Sequence, residues 1–221
     1  MIPDLTSALI KDIIHFLKKE RTFFSAPNAE KAEQMIGSKI IARHLSRETE
    51  SSFVNDLGTT IKILSNSEDF SGSNLLKSLG VFFVEEFSLI FDQLDKDFYR
   101  STTTERRKKL DQLLPHGAAF MAELRYFISL YSVQEMTEEI VVFLQALFKS
   151  PRVLTQSPIE CDRETKDAIR RHFGLKLPKS FVAFSINAQL IGGIRFFIDG
   201  KVVDRSWFSR IQAIHRLKEL V

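Results

Sequence analysis

The hydrophobic pattern of this chain changes period near Pro151. Upstream, apolar residues recur at spacings of three and four, the signature of helices with one buried face. Leu5, Leu9, Ile13 and Phe16 follow Asp4, a candidate helix cap, with Lys11, Asp12, Lys18 and Lys19 on the other side. Pro27-Asn28 punctuates the chain, and Asn28 is expected to open a second helix carrying Met35, Ile36, Ile40, Ile41 and Leu45. Further helices are predicted over residues 51–64 and 75–98, from Thr104 onward, over 118–131 and over 134–148. Residues 66–73, Pro115 and Gly117 supply the breaks between them. Six or seven amphipathic helices with short connections make a helical bundle.

Downstream the elements are shorter and β-rich. Residues 152–157 and 180–186 read as strands, separated by a helix that Asp162 caps and Gly174 closes. Residues 194–198 and 201–203 are apolar runs flanking Asp199-Gly200, and Asp-Gly between such runs predicts a two-residue hairpin of type I′. Residues 204–220 form a last amphipathic pattern, with Trp207, Ile211, Ile214 and Leu217 on one side. The predicted architecture is α+β in two domains: an all-α bundle over residues 1–150 and a small α+β domain with a β-hairpin over 151–221.

Charge follows the same division. Residues 151–221 hold 13 Lys or Arg and 7 Asp or Glu, so a chain of formal charge +3 combines an acidic helical part with a basic α+β part. Such asymmetry suggests units with different partners. Hydrophobic residues make up 44% and charged residues 27% of the 221, which excludes disordered, collagen-like and disulfide-stapled classes. The lone cysteine, Cys161, permits no intrachain disulfide and fits a reducing compartment. The apolar runs are far too short for a membrane span, and the N-terminus lacks the pattern of a signal or transit peptide. Phenylalanine is in surplus, 20 against 3 Tyr and 1 Trp, so many rings need a core or a partner to cover them.

Catalytic chemistry is hard to find. His15, His44, His116, His172 and His215 are scattered, with no pair at metal-ligand spacing. Asp92, Asp95 and Asp97 lack the glycine and terminal glutamate of a calcium loop. Gly192-Gly193 leads into a strand rather than a helix, so it is no phosphate cradle. Ser206 has no nucleophile elbow, and Cys161 no recognisable base. The expectation is a non-enzyme without cofactor or metal.

One stretch does carry a family signature. Residues 188–206 resemble the C-terminal region of the delta subunit of F-type ATP synthases, the family of the mitochondrial oligomycin-sensitivity-conferring protein. Leu190, Ile191, Gly192, Gly193, Val203, Asp204 and Ser206 match its Leu-Ile-Gly-Gly step, its Val/Ile-Asp pair and the Ser that starts the last helix, and Asp199-Gly200 supplies the turn between. Asn187 and Arg205 depart from the acidic residue and the Gly common there.

The resemblance implies a peripheral-stalk, or stator, subunit that holds the catalytic head against rotor torque during proton-driven ATP synthesis. Its helical part would grip N-terminal segments of the alpha subunits, with Leu9, Ile13 and Phe16 and the 118–131 helix as the candidate surface. Its C-terminal part would hold the ends of the stalk b subunits through Trp207, Ile211, Ile214 and the outer side of residues 194–198. It implies a peripheral subunit on the cytoplasmic face of the bacterial inner membrane, or the organellar equivalent. The alternatives are a stalk E-type subunit of a V/A-type ATPase, an export stator, or a basic RNA-binding α+β module.

Overall fold

A computed structural model describes residues 1–66, 72–94, 96–114 and 118–206. It is mostly helical with one small mixed sheet, an α+β layout. Contacts divide the chain into two compact units, Met1–Phe148 and Lys149–Val221. Each is described by itself.

The first unit is helical throughout. Helix α1 (Ile2–Lys19) begins at Met1 rather than at Asp4, whose carboxylate instead lies 3.2 Å from the N-terminal amine. The helix expected to run from Asn28 past Leu45 is two helices, α2 (Ala29–Ile36) and α3 (Lys39–Leu45). Asn28 caps α2, Gly37 ends it in the left-handed region at φ 76°, and the Ser38 hydroxyl caps α3 by accepting from the Ile41 amide. The apolar period runs through this break because both helices turn Ile36, Ile41, Ala42 and Leu45 inward.

Helices α4 (Glu50–Asn66), α5 (Asn74–Gln93) and α6 (Lys96–Arg100) follow. The stretch predicted as one helix over 75–98 is divided by an extended Leu94 (φ −95°, ψ 111°), which is buried, as is Phe98. Helix α7 (Thr103–Leu113) starts one residue before Thr104, on a capping box between Thr102 and Glu105. Helices α8 (Ala119–Leu130) and α9 (Val133–Phe148) complete the unit.

Phenylalanine builds much of the core. Phe83 is fully buried, with the rings of Phe82, Phe87, Phe120 and Phe143 centred 5.8, 5.8, 6.0 and 5.9 Å away. Burying each ring stabilises the fold by about 2–3 kcal/mol. Gly80 lets α5 approach α9, since a Cβ there would meet Leu147 Cδ2 at 2.4 Å. No described phenylalanine is exposed, so these rings fill cores.

The second unit is a four-stranded sheet with one described helix. Strands β1 (Val153–Ser157), β2 (Val182–Ile186), β3 (Arg195–Ile198) and β4 (Lys201–Asp204) lie in the order β2-β1-β3-β4. Helix α10 (Arg163–Lys176) connects β1 to the parallel β2, while β3 and β4 add antiparallel. Asp162 caps α10, but Gly174 lies inside it and does not end it. Ile169 and Phe173 of α10 pack on Val153 and Val182, with Phe184, Phe196 and Ile198 partly buried around them. The hairpin is as expected: Asp199 and Gly200 have φ 47° and 79°.

Candidate interaction surfaces

Gly193, Asp204 and Ser206 of the C-terminal signature, up to thirteen positions apart in sequence, meet at one end of the sheet. Gly193 has φ 79°, and a Cβ there would lie 2.6 Å from the Arg205 carbonyl oxygen and 2.9 Å from Ser206 Cα. Only glycine satisfies both the dihedral and the approach. The Arg205 amide donates to the Ile194 carbonyl at 3.0 Å, which fixes this contact. Asp204 then draws the ends together: its Oδ2 accepts from Arg195 Nη2 at 2.8 Å and Nε at 3.0 Å, and its Oδ1 accepts from the Ser206 amide at 2.8 Å. The Ser206 hydroxyl and amide, with the Arg195 guanidinium, hold the Asp204 carboxyl below the usual carboxylate range.

Asp199 does a parallel job at the hairpin. Its carboxylate accepts from the Arg152 amide at 2.8 Å, and its own amide donates to the Arg152 carbonyl at 3.1 Å. Leu190 is buried, whereas Ile191 is 65% exposed and Val203 39%. The signature therefore joins loop, hairpin and chain exit, and presents Ile191 and Val203 outward. Arg195, which closes the ion pair, was not singled out from the sequence. Its pairing with Asp204 follows from the hairpin register once Asp199-Gly200 is taken as the turn. Trp207, Ile211 and Ile214 lie outside the described residues.

The candidate surface on the first helix needs correcting. Leu9, Ile13 and Phe16 are 1%, 0% and 1% exposed, so this face is core and offers nothing to a partner. The outward stripe of α1 is Lys11, Ile14, His15 and Lys18, and it faces Ala118, Ala119 and Ala122 across a groove of about 650 Å³. Small alanines on one wall let a partner helix come close, and the basic stripe favours acidic flanks on it. Asp12 holds the groove in shape: its two carboxylate oxygens accept from the Ala119 and Phe120 amides, each at 2.8 Å, so α1 caps the N-terminus of α8. The stripe Lys11, His15, Lys18 was legible from its spacing of four and three. The Asp12 cap was not, because its partners are more than a hundred residues away.

Elsewhere the chemistry is sparse. Among the described residues no group of three or more His, Cys, Asp or Glu is placed to hold a metal ion. His15 and His172 are exposed. His44 Nε2 is buried without a hydrogen-bond partner, and burial pushes its imidazole pKa down against the raising fields of Glu48 and Asp56. The Cys161 thiol rests 3.3 Å from the Ser157 hydroxyl. No described helix is long and apolar enough to cross a membrane. No protein-family model matches the chain, and no curated protein matches it.

Proposed function

We propose that this protein is a non-catalytic stator subunit of an F-type ATP synthase, in which the two compact units serve as two domains with different partners. The observation that carries this reading is the junction of the C-terminal signature, where Gly193 seats against Arg205-Ser206 and Asp204 clasps Arg195 and Ser206. A side chain at 193 or the loss of Asp204 would undo it, which gives the signature a physical reason to stand as it does.

In this reading the groove between α1 and α8 takes an N-terminal segment of an alpha subunit as an amphipathic helix. The basic C-terminal unit holds the end of the stalk b subunits. The protein sits at the membrane as a peripheral subunit, through its partners.

The test is binding of synthetic alpha N-terminal and b C-terminal peptides to the full chain, followed by fluorescence anisotropy. Both peptides are expected to bind. Ala122→Glu, which puts a bulky carboxylate on the alanine wall where it blocks the close approach of a helix and repels its acidic flanks, should weaken only the alpha peptide. If neither peptide binds, the stator reading is wrong.

A further inference from the structure

The charges of the C-terminal unit are divided unevenly between the two ends of its sheet. Strands β1 and β2 begin side by side, Val153 beside Val182, and the β3–β4 hairpin turns at the same end, with Ile198 beside Val153 and paired to Lys201. Helix α10 finishes there too, because it leads into β2 through a short turn closed by the Ser180 amide on the Leu177 carbonyl. This end therefore collects Arg152 ahead of β1, Arg171 and Lys176 near the end of α10, Lys179 in the turn and Lys201 in the hairpin, all exposed. The acidic residue of this unit placed among them is Asp199, whose carboxylate accepts from the Arg152 amide at 2.8 Å. At the opposite end Glu160 and Asp204 are matched by Lys166 at 3.7 Å and Arg195 at 2.8 Å. From Ala168 to Ile198 the chain carries no Asp or Glu.

Two residues of the basic end stand where folding alone would not put them. Leu175 is 88% exposed, the most of any large hydrophobic among the described residues, and lies on the outer side of α10 one turn from Arg171. Lys179 takes φ 69°, a left-handed backbone that glycine or asparagine adopts at lower cost. An aliphatic tip ringed by cations is the chemistry of a surface that touches both headgroups and acyl chains.

We propose that this end docks on an anionic lipid bilayer, with the cations against headgroup phosphates and carboxylates and Leu175 at the acyl boundary. The row Val182, Val153, Ile198 and Lys201 is about 14 Å wide, so side chains around it reach one flat surface together. A lone leucine is too little for a stable protein interface, which takes about 800 Å² from each partner. Nucleic acid fits less well, because no described Phe of this unit is exposed and the unit has no Tyr to stack on bases. For a bilayer the inventory suffices: each basic residue near an anionic surface strengthens binding about fivefold. The proposal does not rest on the stator reading, and the junction of Gly193, Asp204 and Ser206 lies at the other end of the sheet.

The test is co-sedimentation of the full chain with vesicles of phosphatidylcholine holding about a quarter phosphatidylserine, against phosphatidylcholine alone. The chain is expected to pellet with the first and not the second, and to be released as salt rises. Lys176→Glu combined with Lys179→Glu should weaken binding more than about twentyfold. Leu175→Ala should weaken it severalfold with the salt dependence unchanged. Arg163→Glu, a charge reversal at the other end of α10, should leave binding within about twofold. All four positions are exposed, and circular dichroism checks that each variant is folded. No pelleting with the anionic vesicles overturns the proposal. So does a loss in Arg163→Glu equal to that in Lys176→Glu alone, which would reduce the effect to net charge. Binding of an RNA duplex in the same buffer without binding of vesicles overturns it as well, and assigns this end to nucleic acid.

Discussion

Two glycines of the C-terminal unit share a backbone angle and differ in surroundings. Gly193 and Gly200 both have φ 79°, yet a Cβ at Gly200 meets nothing within 4 Å, whereas at Gly193 it strikes the Arg205 carbonyl and Ser206 Cα. Gly200→Ala is therefore expected to cost about 1–2 kcal/mol, the left-handed penalty alone. Gly193→Ala adds displaced backbone, for a total of about 3–5 kcal/mol. Urea denaturation of the full chain, followed by circular dichroism, measures both. Equal losses would mean that the Gly193 contact contributes nothing. The sequence showed that a Gly-Gly step needed freedom or close approach. Which backbone approaches Gly193 is a tertiary fact, since Arg205 stands twelve residues away across a hairpin.

Helix ends in this protein follow local rules except where another helix supplies the cap. Asn28, Ser38, Ser73, Thr102 and Asp162 all cap the helix that begins beside them, and each is a residue type that favours that position. Helix α8 has no such residue: Ala118 precedes it, and Asp12 of α1 takes its first amides. Asp12→Ala is expected to cost about 1–2 kcal/mol and to loosen the α1–α8 groove. Asp12→Asn, which keeps an acceptor but loses the charge, should cost less. Hydrogen exchange at the first turn of α8 reads the effect directly, and unchanged protection in Asp12→Ala would remove Asp12 from the site. The breaks at Gly37-Ser38 and Leu94 differ in legibility for a related reason. Gly followed by Ser is a stop and a start in sequence, whereas Leu94 leaves the helix with no local breaker and is held by burial.

At the scale of the molecule, most of the shifted ionisable groups make stability depend on pH in the same direction. Glu105, Glu135, Asp162 and Asp204 all have carboxyls held below the usual range, the first three by capping hydrogen bonds from Thr102, Ser132 and Thr165. A carboxyl with a lowered folded pKa contributes stability above its unfolded value, and that contribution fades as pH falls toward the folded value. His44, lowered by burial, acts in the same sense, because unfolding lets it take a proton. Glu86 opposes them, its pKa raised by burial and by Glu85, so the folded state is the better proton acceptor there. Five groups against one predict that the melting temperature falls steadily as pH drops through the carboxylate range. Glu105→Gln should flatten part of that decline. A melting temperature that holds or rises in acid would contradict the cap assignments.

The sequence by itself determined the kind and rough place of most elements, the change from helices to a β-rich part near residue 150, and the type I′ hairpin. It did not determine the number of helices, since two of the expected ones are each divided. The features it determined rest on spacing and on residues whose conformational preferences are local: apolar periods, capping side chains, Asp199-Gly200. Tertiary structure alone decided which apolar face of α1 is core, that Asp12 caps α8, and that Gly193 and Asp204 close on Ser206. An amphipathic stripe looks the same whether its cover is the chain's own interior or another protein, because the driving force for burial is non-directional. Only the packed fold shows Leu9, Ile13 and Phe16 as interior and leaves Lys11, His15 and Lys18 at the surface.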